Sequence, residues 1–156
     1  MNAATEAGVE ARRTVTWMGT AYSITIAKGQ SAGIVGVFEG HVPAWDGPPI
    51  HIHHNEDEVI HVLEGTYEFW LDGSSFIRGA GASVFLPRGV PHTFRVIGGK
   101  PGRNLAILTP GGFEGFFLEA AERNLTIPDQ MPEVIELAAR YGLEFTGPPP
   151  WGASGP

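Results

Sequence analysis

Cysteine is absent from all 156 residues, which excludes disulfides, thiolate ligands and thiol nucleophiles together. Any metal held by this chain must therefore rest on nitrogen and oxygen. Charge is also sparse, at 17% of residues, against about 25% in an average domain. The balance is acidic, with 10 Lys and Arg against 17 Asp and Glu and a net charge of −7. Arg12-Arg13 is the only adjacent basic pair, so the clustered basic face that nucleic acid requires is missing. Attraction to an anionic membrane surface is lacking for the same reason. No apolar run approaches the ~20 residues of a bilayer-spanning helix. The opening segment MNAATEAGVEARR has no apolar core of the kind a secretory leader carries. A cytoplasmic location is therefore expected, with residues 1–13 as a disordered tail.

Glycine and proline, by contrast, are plentiful, at 22 and 13 residues. Both punctuate short strands, and with runs of Val, Ile, Phe and Thr they favour an all-β body. The length suits one domain that buries roughly two-thirds of its unfolded surface. Strands are expected at Thr14–Met18, Tyr22–Ala27, Ile34–Glu39, Ile50–His54, Val59–Leu63, Thr66–Leu71, Ser75–Ile77, Ser83–Leu86, His92–Ile97 and Asn104–Thr109. Asp72-Gly73 between two of them is a strong hairpin signal, and strands at this spacing build a sandwich or barrel. After Thr109-Pro110-Gly111-Gly112 the period changes. Phe113, Phe116, Phe117 and Ala120 form a helical stripe, and so do Val134, Leu137, Ala138 and Tyr141, with Asp129 as N-cap and Gly142 as stop. These helices are expected to pack outside the strands. Residues 14–145 then form the single domain, and residues 146–156 a Pro/Gly-rich extended tail.

The chemistry concentrates in GPPIHIHHNEDEVIHVLEG, Gly47 to Gly65. Residues two apart on a strand share a face, so His51 and His53 aim two imidazoles into one space. Glu58 follows after the turn Asn55-Glu56-Asp57. His92 enters from a distant strand, after a Pro-x-Gly turn in GASVFLPRGVPHTF. Three imidazoles and one carboxylate suit a divalent transition metal and leave it net positive charge. Iron, manganese, nickel, cobalt, copper and zinc all accept such donors. Glu56 and Asp57 compete with Glu58 for the carboxylate role, and spacing favours Glu58. Beyond ligation, Glu58 is a candidate catalytic group that takes a proton from a substrate hydroxyl; simple ligation is the alternative. Strand alternation turns His54 and His61 away, and His41 has no partner by spacing.

These residues resemble the cupin family. His51-x-His53-x4-Glu58-x6-Gly65 matches its first motif, with three residues, Pro48, Pro49 and Ile50, after Gly47 where the motif has five. Gly81-x5-Pro87-x-Gly89-x2-His92 matches its second motif, with Val96 where an asparagine is expected. The resemblance implies a jelly-roll β-barrel with the two C-terminal helices packed outside it. It implies that His51, His53, Glu58 and His92 hold one divalent transition metal. The segments PPIHIHHNEDE, FLPRGVPHTFRV, LTPGGFEGFF and ARYGLEFTGPPP further resemble bacterial quercetin 2,3-dioxygenase-like cupins.

Strand parity proposes a substrate pocket around those donors. Phe94 and Val96 share a face with His92, and Ile60 and Val62 with Glu58. Tyr67 and Phe69 line the next strand, Trp45 stands at the mouth, and Phe113, Phe116 and Phe117 cover it. The alternative for all of them is barrel core, since small barrels are mostly filled. Aromatic walls around a metal suit a flat apolar molecule bearing a few oxygens. The resemblance implies a metal-dependent dioxygenase acting with dioxygen on a flavonol-like or other enolic aromatic small molecule. A cyclase, isomerase or lyase of secondary metabolism, and a non-catalytic binding cupin, are the competing readings. Single-domain cupins are generally dimers, so a homodimer is expected, with Thr14–Ala27 as a candidate pairing segment.

Overall fold

The computed structural model describes residues 12–152. Most of the expected 1–13 tail, and residues 153–156 of the expected C-terminal tail, lie outside the described residues. Among the described residues, eleven strands and two helices follow in chain order. The strands are β1 (Arg13–Trp17), β2 (Thr20–Ile26), β3 (Gly36–Val42), β4 (Ile50–His53), β5 (Asp57–Glu64) and β6 (Thr66–Leu71). They continue with β7 (Ser74–Gly79), β8 (Ser83–Leu86), β9 (His92–Ile97) and β10 (Gly102–Thr109). Helices α1 (Glu114–Glu122) and α2 (Met131–Arg140) precede β11 (Leu143–Gly147).

Two antiparallel sheets form, ordered β1-β2-β3-β10-β5-β8 and β11-β4-β9-β6-β7. No ladder among the described residues joins one sheet to the other, so the jelly roll is a sandwich that does not close into a continuous barrel. Alternation decides which side chains face inward. On β5 that face carries Glu58, Ile60 and Val62; on β3 it carries Phe38, Gly40 and Val42; on β10 it carries Asn104, Ala106 and Leu108, all buried. The expected hairpin at Asp72-Gly73 is present. Both residues have positive φ, 46° and 91°, and Leu71 pairs with Ser74 across the turn. That is the backbone twist a two-residue hairpin needs.

The core has two parts. Val42, Ile60, Val62, Tyr67, Phe69, Val84, Leu86 and Val96 fill one end between the sheets. At the other end, Ile24, Phe38, Ala106 and Leu108 meet Phe113, Phe116 and Phe117 from the start of α1, with Val134, Leu137 and Ala138 from α2 behind them. The helices thus stand outside the sheets while α1 turns its phenylalanines toward the interior. Tyr22 stacks on Phe117 with ring centroids 3.7 Å apart, and Trp17 meets Phe116 edge-on at 5.2 Å.

Two expectations on local structure need correction. The N-cap of α2 is Gln130, not Asp129, and no side chain caps it. Gln130 instead accepts the Thr126 N–H at 3.1 Å, and Pro132 sits in the first turn, where a missing N–H costs nothing. The second correction is β11, a strand that begins just past the expected helix stop at Gly142 and runs into the expected 146–156 tail. Only Leu143 and Phe145 alternate there, too short a pattern to stand out, and its pairing partner is the distant β4.

Tyr67 is fully buried, and its hydroxyl accepts the Asn104 amide N–H at 3.1 Å. Burial pushes its phenol up to about 12, the Asn104 contact offsetting only part of this. Folded Tyr67 therefore keeps its proton at pH values where the unfolded chain has begun to lose it. The stabilisation is complete below the unfolded pKa near 10 and disappears as pH rises toward 12. Between pH 9 and pH 11 this group alone is expected to cost roughly 1.3 kcal/mol. Denaturant midpoints at the two pH values should show that excess in the parent chain and lack it in Tyr67→Phe; equal slopes in both would refute it.

Candidate metal centre

β4 and β9 meet in a single register pair, His51 opposite His92. This places two of the expected imidazoles side by side, with ring centroids 4.5 Å apart. His53, two residues along β4, lies 5.1 Å from His51 and 5.5 Å from His92. Glu58 comes from β5 in the opposite sheet. One donor atom from each of His51, His53, Glu58 and His92 lies within 4.8 Å of all the others. All four residues are buried, at 8%, 2%, 6% and 1% exposure, so a charge at their centre is shielded from water. β11 braces the outer edge of β4, pairing Leu143 with His53 and Phe145 with His51.

The hydrogen bonds orient the rings. His51 Nδ1 faces the Pro49 carbonyl at 2.8 Å, and His92 Nδ1 faces the Val90 carbonyl at 2.9 Å. A carbonyl only accepts, so each Nδ1 carries the proton and each Nε2 is left for the centre. There Nε2 of His92 lies 3.2 Å from Glu58 Oε2, and Nε2 of His53 lies 3.5 Å from the same oxygen. Imidazole nitrogens and a carboxylate oxygen at that separation suit a cation between them. The donor set thus fits a divalent transition ion, and borderline nitrogen donors with one hard oxygen suit the first-row metals. Burial, reinforced by the neighbouring His92 and His53, holds His51 well below the ordinary histidine range, which keeps it a neutral donor at pH 7. Burial pushes Glu58 upward, but its close contacts with the His92 and His53 rings outweigh this. The net result is a carboxyl below its ordinary range and ionised at neutral pH.

The competing residues are engaged elsewhere. Asp57 pairs with Arg88, whose guanidinium reaches Oδ2 at 3.1 Å and whose backbone N–H donates to Oδ1 at 3.0 Å. His54 Nε2 meets Glu144 at 2.6 Å, and His61 Nδ1 meets the Ser83 hydroxyl at 2.8 Å, both on the outside. His41 stands 3.6 Å from Glu39. Glu56 is buried beside His53, with Oε2 at 3.6 Å from its Nδ1.

A cavity of about 240 Å³ opens beside the four donors. Of the expected pocket residues, Ile60, Phe94, Phe113, Phe116 and Phe117 line it. Val62, Tyr67, Phe69 and Val96 do not; they lie in the core cluster at the far end, because the right parity on a strand says nothing of position along it. Trp45 also stands off the wall, in a positive-φ turn with its N–H given to Val96. The sequence reading missed Tyr22, Phe38 and Asn104, all on the wall. Their signal was present in the alternation of β2, β3 and β10, but which sheets face each other was needed to use it. Burial pushes the Tyr22 phenol well up, so it remains a protonated donor.

The Cupin domain family matches residues 39–108, which hold all four donors. Quercetin 2,3-dioxygenase of Bacillus subtilis (strain 168) is 37% identical over 51 residues, covering 33% of this chain and 15% of that protein. The match is therefore to a small part of the dioxygenase. Among solved structures, KdgF from Halomonas sp. superposes with a TM-score of 0.57 at 14% identity, covering 64% of this chain and 86% of that one. That likeness is one of fold. The polyketide cyclase RemF from Streptomyces resistomycificus gives 0.56 at 25% identity, covering 64% and 74%. Two strand-borne histidines opposite a third, a carboxylate from the facing sheet and the match over the same stretch lead to one conclusion: this chain has a cupin fold, and its residues 39–108 match the Cupin domain family.

Proposed function

We propose that this cupin domain holds one divalent transition metal on His51, His53, Glu58 and His92 and works as a dioxygenase on a flavonol-like or other enolic aromatic molecule. The observation that carries this reading is a buried three-imidazole, one-carboxylate cluster opening on an aromatic cavity. The short match to a quercetin dioxygenase supports the same class. When bound, the ion supplies Lewis-acid stabilisation of an enolic oxygen as its proton leaves. The chain's own groups do the rest. Phe94, Phe113 and Phe117 offer flat apolar walls that bind a ring and exclude water. Asn104 and Tyr22, with Thr20 and Asp46, are polar groups on a largely apolar wall, placed to meet a substrate oxygen. Glu58, ionised at neutral pH, takes the hydroxyl proton on its carboxylate. We include a small-molecule substrate, dioxygen, a homodimer and a cytoplasmic setting in this proposal.

A cyclase is the second reading, favoured by the 25% identity to RemF. Dependence on dioxygen separates the two. Protein reconstituted in turn with each first-row divalent metal is expected to consume quercetin in air, followed by loss of the flavonol absorbance, and to stop under argon. Turnover that persists without dioxygen supports the cyclase class. No quercetin turnover with any of the metals would end the flavonol version.

A further inference from the structure

The three imidazoles of the cluster are not held alike. His51 and His92 each face a backbone carbonyl two residues earlier, at 2.8 and 2.9 Å. His53 has no such carbonyl: its Nδ1 is buried and has no hydrogen-bond partner. The Oε2 of Glu56 is likewise buried without a partner. These two atoms face each other at 3.6 Å, in side chains only 2% and 5% exposed. A formed N–H···O⁻ bond is shorter, at about 2.7–2.9 Å, so the pair stands just short of closure. An imidazole N–H and a carboxylate oxygen, each buried and each alone, are complementary.

We propose that Glu56 is the positioning residue of His53. Its carboxylate accepts the Nδ1 proton and so fixes the tautomer that presents Nε2 to the metal. It is not a ligand itself, since its oxygen lies on the far side of the ring from the centre. A carboxylate behind a metal-bound histidine also raises that ring's donor strength, which a backbone carbonyl does less well. His53 thereby becomes the strongest of three otherwise equal imidazole donors. Glu56 lies one residue from Asp57, yet Asp57 is turned outward to Arg88. The turn Asn55-Glu56-Asp57 thus sends one acid behind a ligand and the next to the surface. The inference rests on the metal-site reading above and adds to it a residue that no ligand motif includes.

The test is Co²⁺ binding by the full chain, titrated against a chromophoric chelator, for the parent, Glu56→Gln and Glu56→Ala. Loss of such a partner typically weakens metal affinity 10–100-fold. Glu56→Ala is expected to fall in that range. Glu56→Gln keeps an acceptor oxygen and the volume but loses the charge, so it should lie between, with a shifted Co²⁺ visible spectrum. Nitrogen-detected NMR of the Zn²⁺-loaded parent should show His53 protonated at Nδ1. A merely structural role would lower the melting temperature of the metal-free variants and leave the dissociation constant and the spectrum unmoved; that result overturns the proposal. Parent protein that binds no Co²⁺ overturns the metal reading and this inference with it. Parent binding that the two variants match within twofold overturns the inference alone.

Discussion

Replacing His92 by alanine is expected to empty the metal site. His92 is the donor that joins the two motifs: it sits opposite His51 across the single β4–β9 pair, and its Nε2 lies 3.2 Å from the Glu58 carboxylate. Its ring is 1% exposed and oriented by the Val90 carbonyl, so its removal leaves a buried gap among the donors. Loss of a group that merely supports a ligand weakens affinity 10–100-fold, and loss of the ligand should exceed roughly 100-fold. Elemental analysis of the purified variant should find near-zero metal where the parent is expected to carry one ion. Thermal melts supply a second reading. A ligand at 100 times its dissociation constant adds about 2.7 kcal/mol to the folded state, and His92→Ala should show none of that increment on adding metal. A variant that retains one equivalent of metal would exclude His92 from the ligand set.

Gly47→Ala is expected to disrupt both the fold and the site. A Cβ at Gly47 would stand 1.9 Å from the Phe94 carbonyl oxygen and 2.9 Å from its carbon. Those are backbone atoms of β9, so relief requires moving the strand. The contact is reinforced one residue later, where the Thr93 hydroxyl donates to the Pro48 carbonyl at 2.6 Å. Overpacking a buried position costs about 1–3 kcal/mol when side chains can adjust; here the loss should reach the top of that range or beyond. Because Phe94 is two residues from His92 on the same strand, metal affinity should fall together with the denaturation midpoint. Gly79→Ala is the control. Nothing lies within 4 Å of its Cβ and it has no positive φ, so its stability should stay within about 0.5 kcal/mol of the parent. Equal behaviour of the two variants would show that the close approach of Gly47 to β9 is not tight in solution.

How far the site was legible depended on the kind of signal each residue left. His51 and His53 were readable because a strand puts residues two apart on one face, and that rule needs no knowledge of the fold. Glu58 was harder, with Glu56 and Asp57 beside it. The deciding fact was that Asp57 has Arg88 as a surface partner and Glu56 lies behind His53. The pocket was half legible. Parity placed Val62, Phe69 and Val96 correctly on inward faces but not at the metal end, since alternation carries no information about depth along the sheet. Tyr22, Phe38 and Asn104 stand on strands whose sheet faces the metal, a fact that resides in the packing of one sheet on the other. β11 escaped notice because five residues with two apolar side chains make a weak pattern, and its partner β4 is some ninety positions away.

The amino-acid order alone determined that cysteine chemistry is excluded, that the body is β, and that three imidazoles and a carboxylate are available in metal-ligand spacing. These are local properties, set by composition, by the two-residue period of a strand and by turn chemistry at sites such as Asp72-Gly73. Tertiary structure alone decided that β9 lies against β4 so that His92 meets His51, that α1 turns its phenylalanines into the cavity, and that Glu56 backs His53. Each of these joins groups through space rather than along the chain, and the burial that makes them chemically distinctive exists only once both sheets have closed over them.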